Sequence, residues 1–224
     1  MTPAPIDAMP SFWTEPWRFA APVWRALYGA PQLAFDRHAE RLVYSGWVNC
    51  FGLCQRWRAP SDPGWLDLLD TQPARLHRVA TTLGYLALAR AGAADVLLRA
   101  ARSDRASADA LKYREVNCMS ASLLTPPSLS RPVRGVALAP HACGVDVLCA
   151  MARQAWPDAE SRFAMLVAPG RARALDTANA PNAKTLCRHE PVLSIDRIDV
   201  GRCLTICRAA VRQFAAGCAT RGER

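Results

Sequence analysis

The chain has 224 residues, 51% hydrophobic and 21% charged, with a formal net charge of +9. That length gives one large domain or two small ones, and it buries a core without disulfide or metal staples. The apolar content excludes a disordered chain, and no uncharged apolar run approaches the ~18 residues of a membrane span.

Residues 1–31 hold prolines at 3, 5, 10, 16, 22 and 31, interleaved with Trp13, Trp17 and Trp24. Repeated proline breaks regular structure, so only short helical turns are expected, over 17–28. Residues 32–58 suit a helix with charge pairs among Asp36, Arg37, Glu40 and Arg41. Residues 59–64 read as a turn.

The strongest helical signal follows. Asp70 or Thr71 is placed to cap and Pro73 suits the first turn. Leu76, Val79, Leu83 and Leu86 form one apolar stripe, and Gly92 ends or bends the helix. A continuation carries Val96, Leu97 and Ala100. Another helix is expected from about Ser107 to Ser122. Residues 125–135 are a loop by composition and the candidate internal boundary. Pro140 opens a helix that Pro157 stops after Trp156. The run Arg162–Val167 is strand or helix, and 168–195 read as irregular. Asp196 or Asp199 caps a last helix to about Ala216, with Leu204, Cys207, Val211 and Phe214 on its face. The expected fold is all-α: a single mainly helical domain (32–224) behind a proline- and tryptophan-rich segment (1–31).

Nine cysteines, an odd number, are spread over a chain too large to be a disulfide-stapled miniprotein. The first ten residues lack the basic and apolar regions of a signal peptide, so the expectation is a cytoplasmic protein with reduced thiols. Cys50/Cys54 and Cys203/Cys207 stand four apart, a spacing open to zinc but equally to one helix face. His141, Cys143, Cys187 and His189 make a further conceivable ligand set. Buried structural cysteine is the favoured reading, and no metal or cofactor is expected.

Nucleophile elbow, Walker and dinucleotide-binding motifs are absent from the sequence, so no catalytic residue is assigned and the chain is not read as an enzyme. A thiol-dependent enzyme is the least favoured alternative. The charge is about +2 over 1–60, about +1 over 61–120 and about +6 over 121–224. A basic C-terminal half suits nucleic acid, an anionic membrane surface or an acidic protein partner, with a merely solvated face the equal alternative, and a helical DNA-binding or regulatory protein is the alternative function. Ala80 and Gly84 have helix-turn-helix spacing, but Arg90 stands where that motif needs a buried apolar residue, so nucleic acid is not the expected partner.

Six of seven tryptophans precede residue 66. Tryptophan and arginine are preferred interface anchors. Trp13, Trp17 and Trp24, with Arg171 and Arg173, are therefore the candidate partner-binding residues. Packing of the tryptophans against the chain's own body is the equal alternative.

From Trp65-Leu66 through Arg75-Leu76, Leu83-Gly84, Leu97 and Arg99 to Leu111, and again at Arg162-Phe163-Ala164-Met165-Leu166-Val167-Ala168-Pro169, the chain resembles the K component (SctK/YscK family, Hrp branch) of bacterial type III secretion systems. The resemblance covers roughly residues 60–170. It implies a mostly helical, non-catalytic adaptor without cofactor or small-molecule substrate. Such a protein links the cytoplasmic domain of the inner-membrane ring to the Q-type pod protein of the sorting platform, peripheral to the membrane through protein contacts.

Overall fold

Four of the nine described α-helices begin at a proline. The computed structural model describes residues 9–29, 37–91, 128–129, 140–168 and 191–219. Three short helices open it: α1 (Ser11–Thr14), α2 (Pro16–Phe19) and α3 (Pro22–Tyr28). Pro16 and Pro22 occupy the first helical position, where a missing N–H loses nothing and the fixed φ suits a helix. Proline here starts each turn as well as limiting the one before it.

Helix α4 (Arg37–Phe51) stops earlier than the expected 58. Gly52 follows it at φ 61, a left-handed conformation that a side chain disfavours. The Leu53 N–H then turns back to the Val48 carbonyl at 3.0 Å. A short α5 (Gly64–Leu69) leads into α6 (Pro73–Arg90). Pro73 takes the first helical position as expected. The expected side-chain cap is not made: Gln72 sits at the N-cap without a side-chain bond, and the Thr71 hydroxyl donates to the Leu68 carbonyl at 2.7 Å.

Helix α7 (Pro140–Ala155) ends before Trp156, and a 3-10 turn (Pro157–Ala159) passes into α8 (Glu160–Ala164). The run that read as strand or helix is thus one helical turn plus its exit. Two-residue strands β1 (Ser128–Leu129) and β2 (Leu193–Ser194) pair antiparallel. The last helix, α9, spans Val200–Ala219. Asp199 is its cap, its carboxylate accepting from the Arg202 N–H at 3.0 Å. The expected helices over 92–122, and most of the 125–135 loop, lie outside the described residues.

The described residues are 71% helix and 2% strand, which makes the chain a mainly helical single domain. No described helix is long and apolar enough to cross a membrane.

The main core lies where α6 crosses α7. Leu76, Val79 and Leu83 on one helix and Leu148 and Met151 on the other are buried, with Leu68, Leu69, Phe163, Leu204 and Cys207 around them. Burying each such side chain contributes about 1.5–3 kcal/mol before the entropy of ordering it. The two backbones touch at paired glycines. A Cβ on Gly84 would overlap the Pro140 carbonyl, and one on Gly144 would overlap the Ala80 carbonyl. Residues 80–90 are therefore continuous helix packed on a neighbour, without the turn a helix-turn-helix needs. A satellite core of Trp17, Trp24, Trp47, Val48, Phe51 and Met165 joins the N-terminal segment to α4.

Candidate functional site

The three tryptophans proposed as partner anchors are instead built into the chain's own body. Trp13 is 1% exposed, Trp17 6% and Trp24 3%. The apolar area that suits a tryptophan to an interface suits it equally to a core, and here α1–α3 fold back far enough to use it. These three do not form an offered surface. Arg171 and Arg173 lie outside the described residues.

Trp13 belongs to a four-indole group. It stacks on Trp156 at 5.4 Å and meets Trp57 edge-on at 5.0 Å; Trp57 and Trp65 each meet Trp156 edge-on, at 5.5 and 5.8 Å. Other indoles serve as ties between distant segments. Trp24 Nε1 donates to the Val167 carbonyl at 2.7 Å, Trp47 Nε1 to Gly29 at 3.0 Å and Trp156 Nε1 to Arg58 at 3.0 Å.

Arg162, on α8, is completely buried. Its Nη1 donates to the Trp13 carbonyl at 2.8 Å and to that of Phe12 at 3.3 Å. Its Nη2 donates to the Cys54 carbonyl at 3.0 Å and to the Tyr44 hydroxyl at 3.2 Å. The guanidinium carbon lies 4.1 Å from the Trp13 ring centroid. Burial pushes the arginine below its ordinary pKa, while Tyr44 acts the other way. A flat fork with several donors can serve three carbonyls, a hydroxyl and a ring face together; a lysine cannot. Arg162 thus fastens α1, α4 and the 52–56 turn to α8. The same run continues the fastening, because the Ala21 N–H donates to the Met165 carbonyl at 2.9 Å.

A second polar contact lies at the start of α7. His77 Nδ1 and His141 Nε2 are 2.8 Å apart, and His77 Nε2 is 2.9 Å from the Phe19 carbonyl oxygen. Burial lowers the His77 pKa, opposed by the Phe19 carbonyl and reinforced by Arg25. His141 falls to about 4, through burial first and the His77 charge second.

The buried carboxylate of Asp146 on α7 accepts the Val192 and Leu193 N–H groups, both at 2.8 Å, and so seats β2. On α9, Arg208 bridges Asp62 and Asp67, each at 3.2 Å. A cleft of about 450 Å³ lies between α7 and residues 195–198, lined by Arg153, Gln154, Asp196 and Arg197 over Ala150, Ile195 and Ile198. Arg153 is occupied there by Glu160 at 2.6 Å.

The six described cysteines are free thiols. Burial raises Cys50 and takes Cys143 up to about 12, and it drives Cys149 and Cys207 higher still. A nucleophilic thiol needs a lowered pKa, so these four are shifted the wrong way for that role. Cys203 and Cys207 share the buried face of α9. Among the described residues no three His, Cys, Asp or Glu side chains gather at one point. Cys187 and His189 lie outside them, and His141 pairs with His77 instead.

Sequence reasoning missed Arg162, His77 and Asp146 as organising residues. The available signal was a charged residue amid apolar neighbours, Arg162 in an apolar run and Asp146 within Val-Asp-Val. No protein-family model matches the chain, and neither a curated protein nor a solved structure matches it.

Proposed function

We propose that the chain is a non-catalytic adaptor of a type III protein secretion apparatus, linking the inner-membrane ring to the cytosolic sorting platform. One observation carries this reading. One run that bears the resemblance, Arg162 to Val167, is a packing hub: Arg162, Phe163, Met165 and Leu166 are all buried, and its side-chain and long-range bonds go to the N-terminal segment, α4 and the Cys54 carbonyl. A run used in this way serves packing, which is what the resemblance to an adaptor family leads one to expect.

With the N-terminal tryptophans buried, docking falls to other surfaces. Arg171 and Arg173 remain the proposed contacts for an acidic partner, through bidentate pairing with carboxylates. Leu27 and Leu42, 52% and 61% exposed on α3 and α4, are the two most exposed large apolar side chains among the described residues, ahead of Leu66, and are proposed as the contact for a second partner.

Two variant pairs test the reading: Arg171→Glu with Arg173→Glu, and Leu27→Glu with Leu42→Glu. Each is checked for an unchanged melting temperature and then for recovery of the ring and pod proteins. Loss of one partner by one folded variant supports the adaptor role. Recovery of both partners at wild-type level by both variants removes these surfaces.

A further inference from the structure

The loop after α4 is tied to the core through its backbone. The Cys54 carbonyl accepts from Arg162 Nη2 at 3.0 Å, and the Arg58 carbonyl accepts from Trp156 Nε1 at 3.0 Å. The Cys54 thiol donates to the Arg56 carbonyl at 3.4 Å. Trp57 turns inward and meets Trp13 and Trp156 edge-on, at 5.0 and 5.5 Å. Three carbonyls and one indole thus fix residues 54–58 from beneath, although the segment is neither helix nor strand.

The side chains flanking Trp57 go the other way. Arg56 and Arg58 are both exposed. Among the described residues neither guanidinium meets a carboxylate. Asp62 and Asp67, which follow in the chain, are engaged by Arg208, and Glu160, on the same helix as Arg162, is engaged by Arg153. The loop therefore offers two cations on a backbone that other parts of the chain hold in place.

Their spacing suits one kind of ligand. Two positions apart, the Cα atoms of Arg56 and Arg58 lie within about 7 Å of each other. Side chains on one face of an extended chain repeat at about that interval. Each guanidinium is a flat fork that pairs a carboxylate bidentately. A backbone already fixed has little conformational freedom left to lose on binding.

We propose that Arg56 and Arg58 form a docking clamp for an extended acidic polypeptide segment, one with carboxylates two residues apart. Trp57 lies under the clamp with its ring engaged by Trp13 and Trp156. It is not offered to stack on a nucleotide base or to enter a lipid interface. Two guanidiniums alone make few phosphate contacts, where duplex DNA rewards many. The clamp is separate from Arg171 and Arg173, and it stands whether or not the chain serves a secretion apparatus, because charge and spacing define its ligand.

Fluorescence anisotropy on the full chain, at physiological ionic strength, tests this with a labelled peptide of alternating glutamate and threonine, whose β-branched residues favour an extended form. Arg56→Gln with Arg58→Gln should weaken binding about tenfold, as the loss of two charge-assisted pairs requires. The melting temperature should not change, since only exposed side chains are altered. Arg41→Gln with Arg90→Gln removes the same charge from exposed helical sites. It should weaken binding less than about twofold, because distant surface charges are screened. Trp156→Phe keeps an aromatic ring but frees the Arg58 carbonyl, and should weaken binding about threefold with both arginines present. Equal losses in the two arginine pairs would overturn the clamp, reducing it to the general attraction of a basic protein. So would no binding by the wild type. Binding of duplex DNA, or of vesicles of phosphatidylcholine and phosphatidylglycerol, that depends on Arg56 and Arg58 as strongly as peptide binding does would also overturn it. Should Trp156→Phe fail to fold, the two charge-matched pairs still decide.

Discussion

Arg162 holds Trp13 from two directions: its guanidinium lies 4.1 Å from the indole centroid, and its Nη1 donates to the Trp13 carbonyl at 2.8 Å. One side chain thereby joins the N-terminal segment to a helix about 150 positions later. Removing it leaves three carbonyls and a hydroxyl without this donor.

Arg162→Met is expected to destabilise the protein by about 3 kcal/mol, the range for breaking a buried charged network. Arg162→Lys should recover less than half of that, because an ammonium cannot span both sets of acceptors. Urea melts of the three proteins check it. A methionine variant within about 0.5 kcal/mol of wild type, the usual range for an unremarkable surface site, would remove Arg162 from its central place.

Two glycine-to-alanine changes should have opposite signs. Gly46 is exposed on α4 and a Cβ there meets nothing within 4 Å. Gly46→Ala should stabilise by about 0.5–1 kcal/mol, the helical penalty of glycine. Gly84→Ala forces the α6 and α7 backbones apart and should destabilise by about 2 kcal/mol despite the better propensity. Thermal melts followed at 222 nm, the usual helix signal, compare them. Equal signs would contradict the close crossing.

Stability should fall with acid through the histidine pair. The folded pKa of His141, about 4, lies below the unfolded value near 6.5. The unfolded chain therefore binds more protons in that interval. The contribution is fully present above pH ~6.5 and is lost as pH drops toward ~4, about 2 kcal/mol after allowance for partial exposure. The difference between wild type and His141→Gln, measured by urea melts across that range, isolates it from the carboxylates. Parallel curves would contradict it.

Asp146→Asn keeps the size but gives up charge and one acceptor oxygen. The Val192 and Leu193 amides should exchange faster, with about 1–2 kcal/mol lost. Unchanged exchange at both amides would show that β2 is seated by other contacts.

Helices α6 and α7 were legible in the sequence because proline at the first helical position and a stripe of three- and four-residue spacing are local signals. Asp199 was legible for the same reason as one of two candidate caps, and the structure chooses it over Asp196. The candidate site was not. Arg162 bonds mainly to backbone carbonyls, and the carbonyls of residues 12, 13 and 54 carry no mark in their side chains. His77 and His141 are 64 positions apart and meet only because two glycines let their helices touch. The tryptophans were visible as large buried area, but whether that area faces a partner or the chain itself depends on how α1–α3 fold back. That is a tertiary fact, set by Arg162, Met165 and Val167.

The adaptor role is tested most directly by affinity purification of the tagged full-length protein from its native bacterium, with mass spectrometry of what it retains. The account predicts recovery of both the inner-membrane ring protein and the Q-type pod protein, each lost when its docking surface is changed in a folded variant. Absence of both partners, together with intact effector secretion after deletion of the gene, would contradict it.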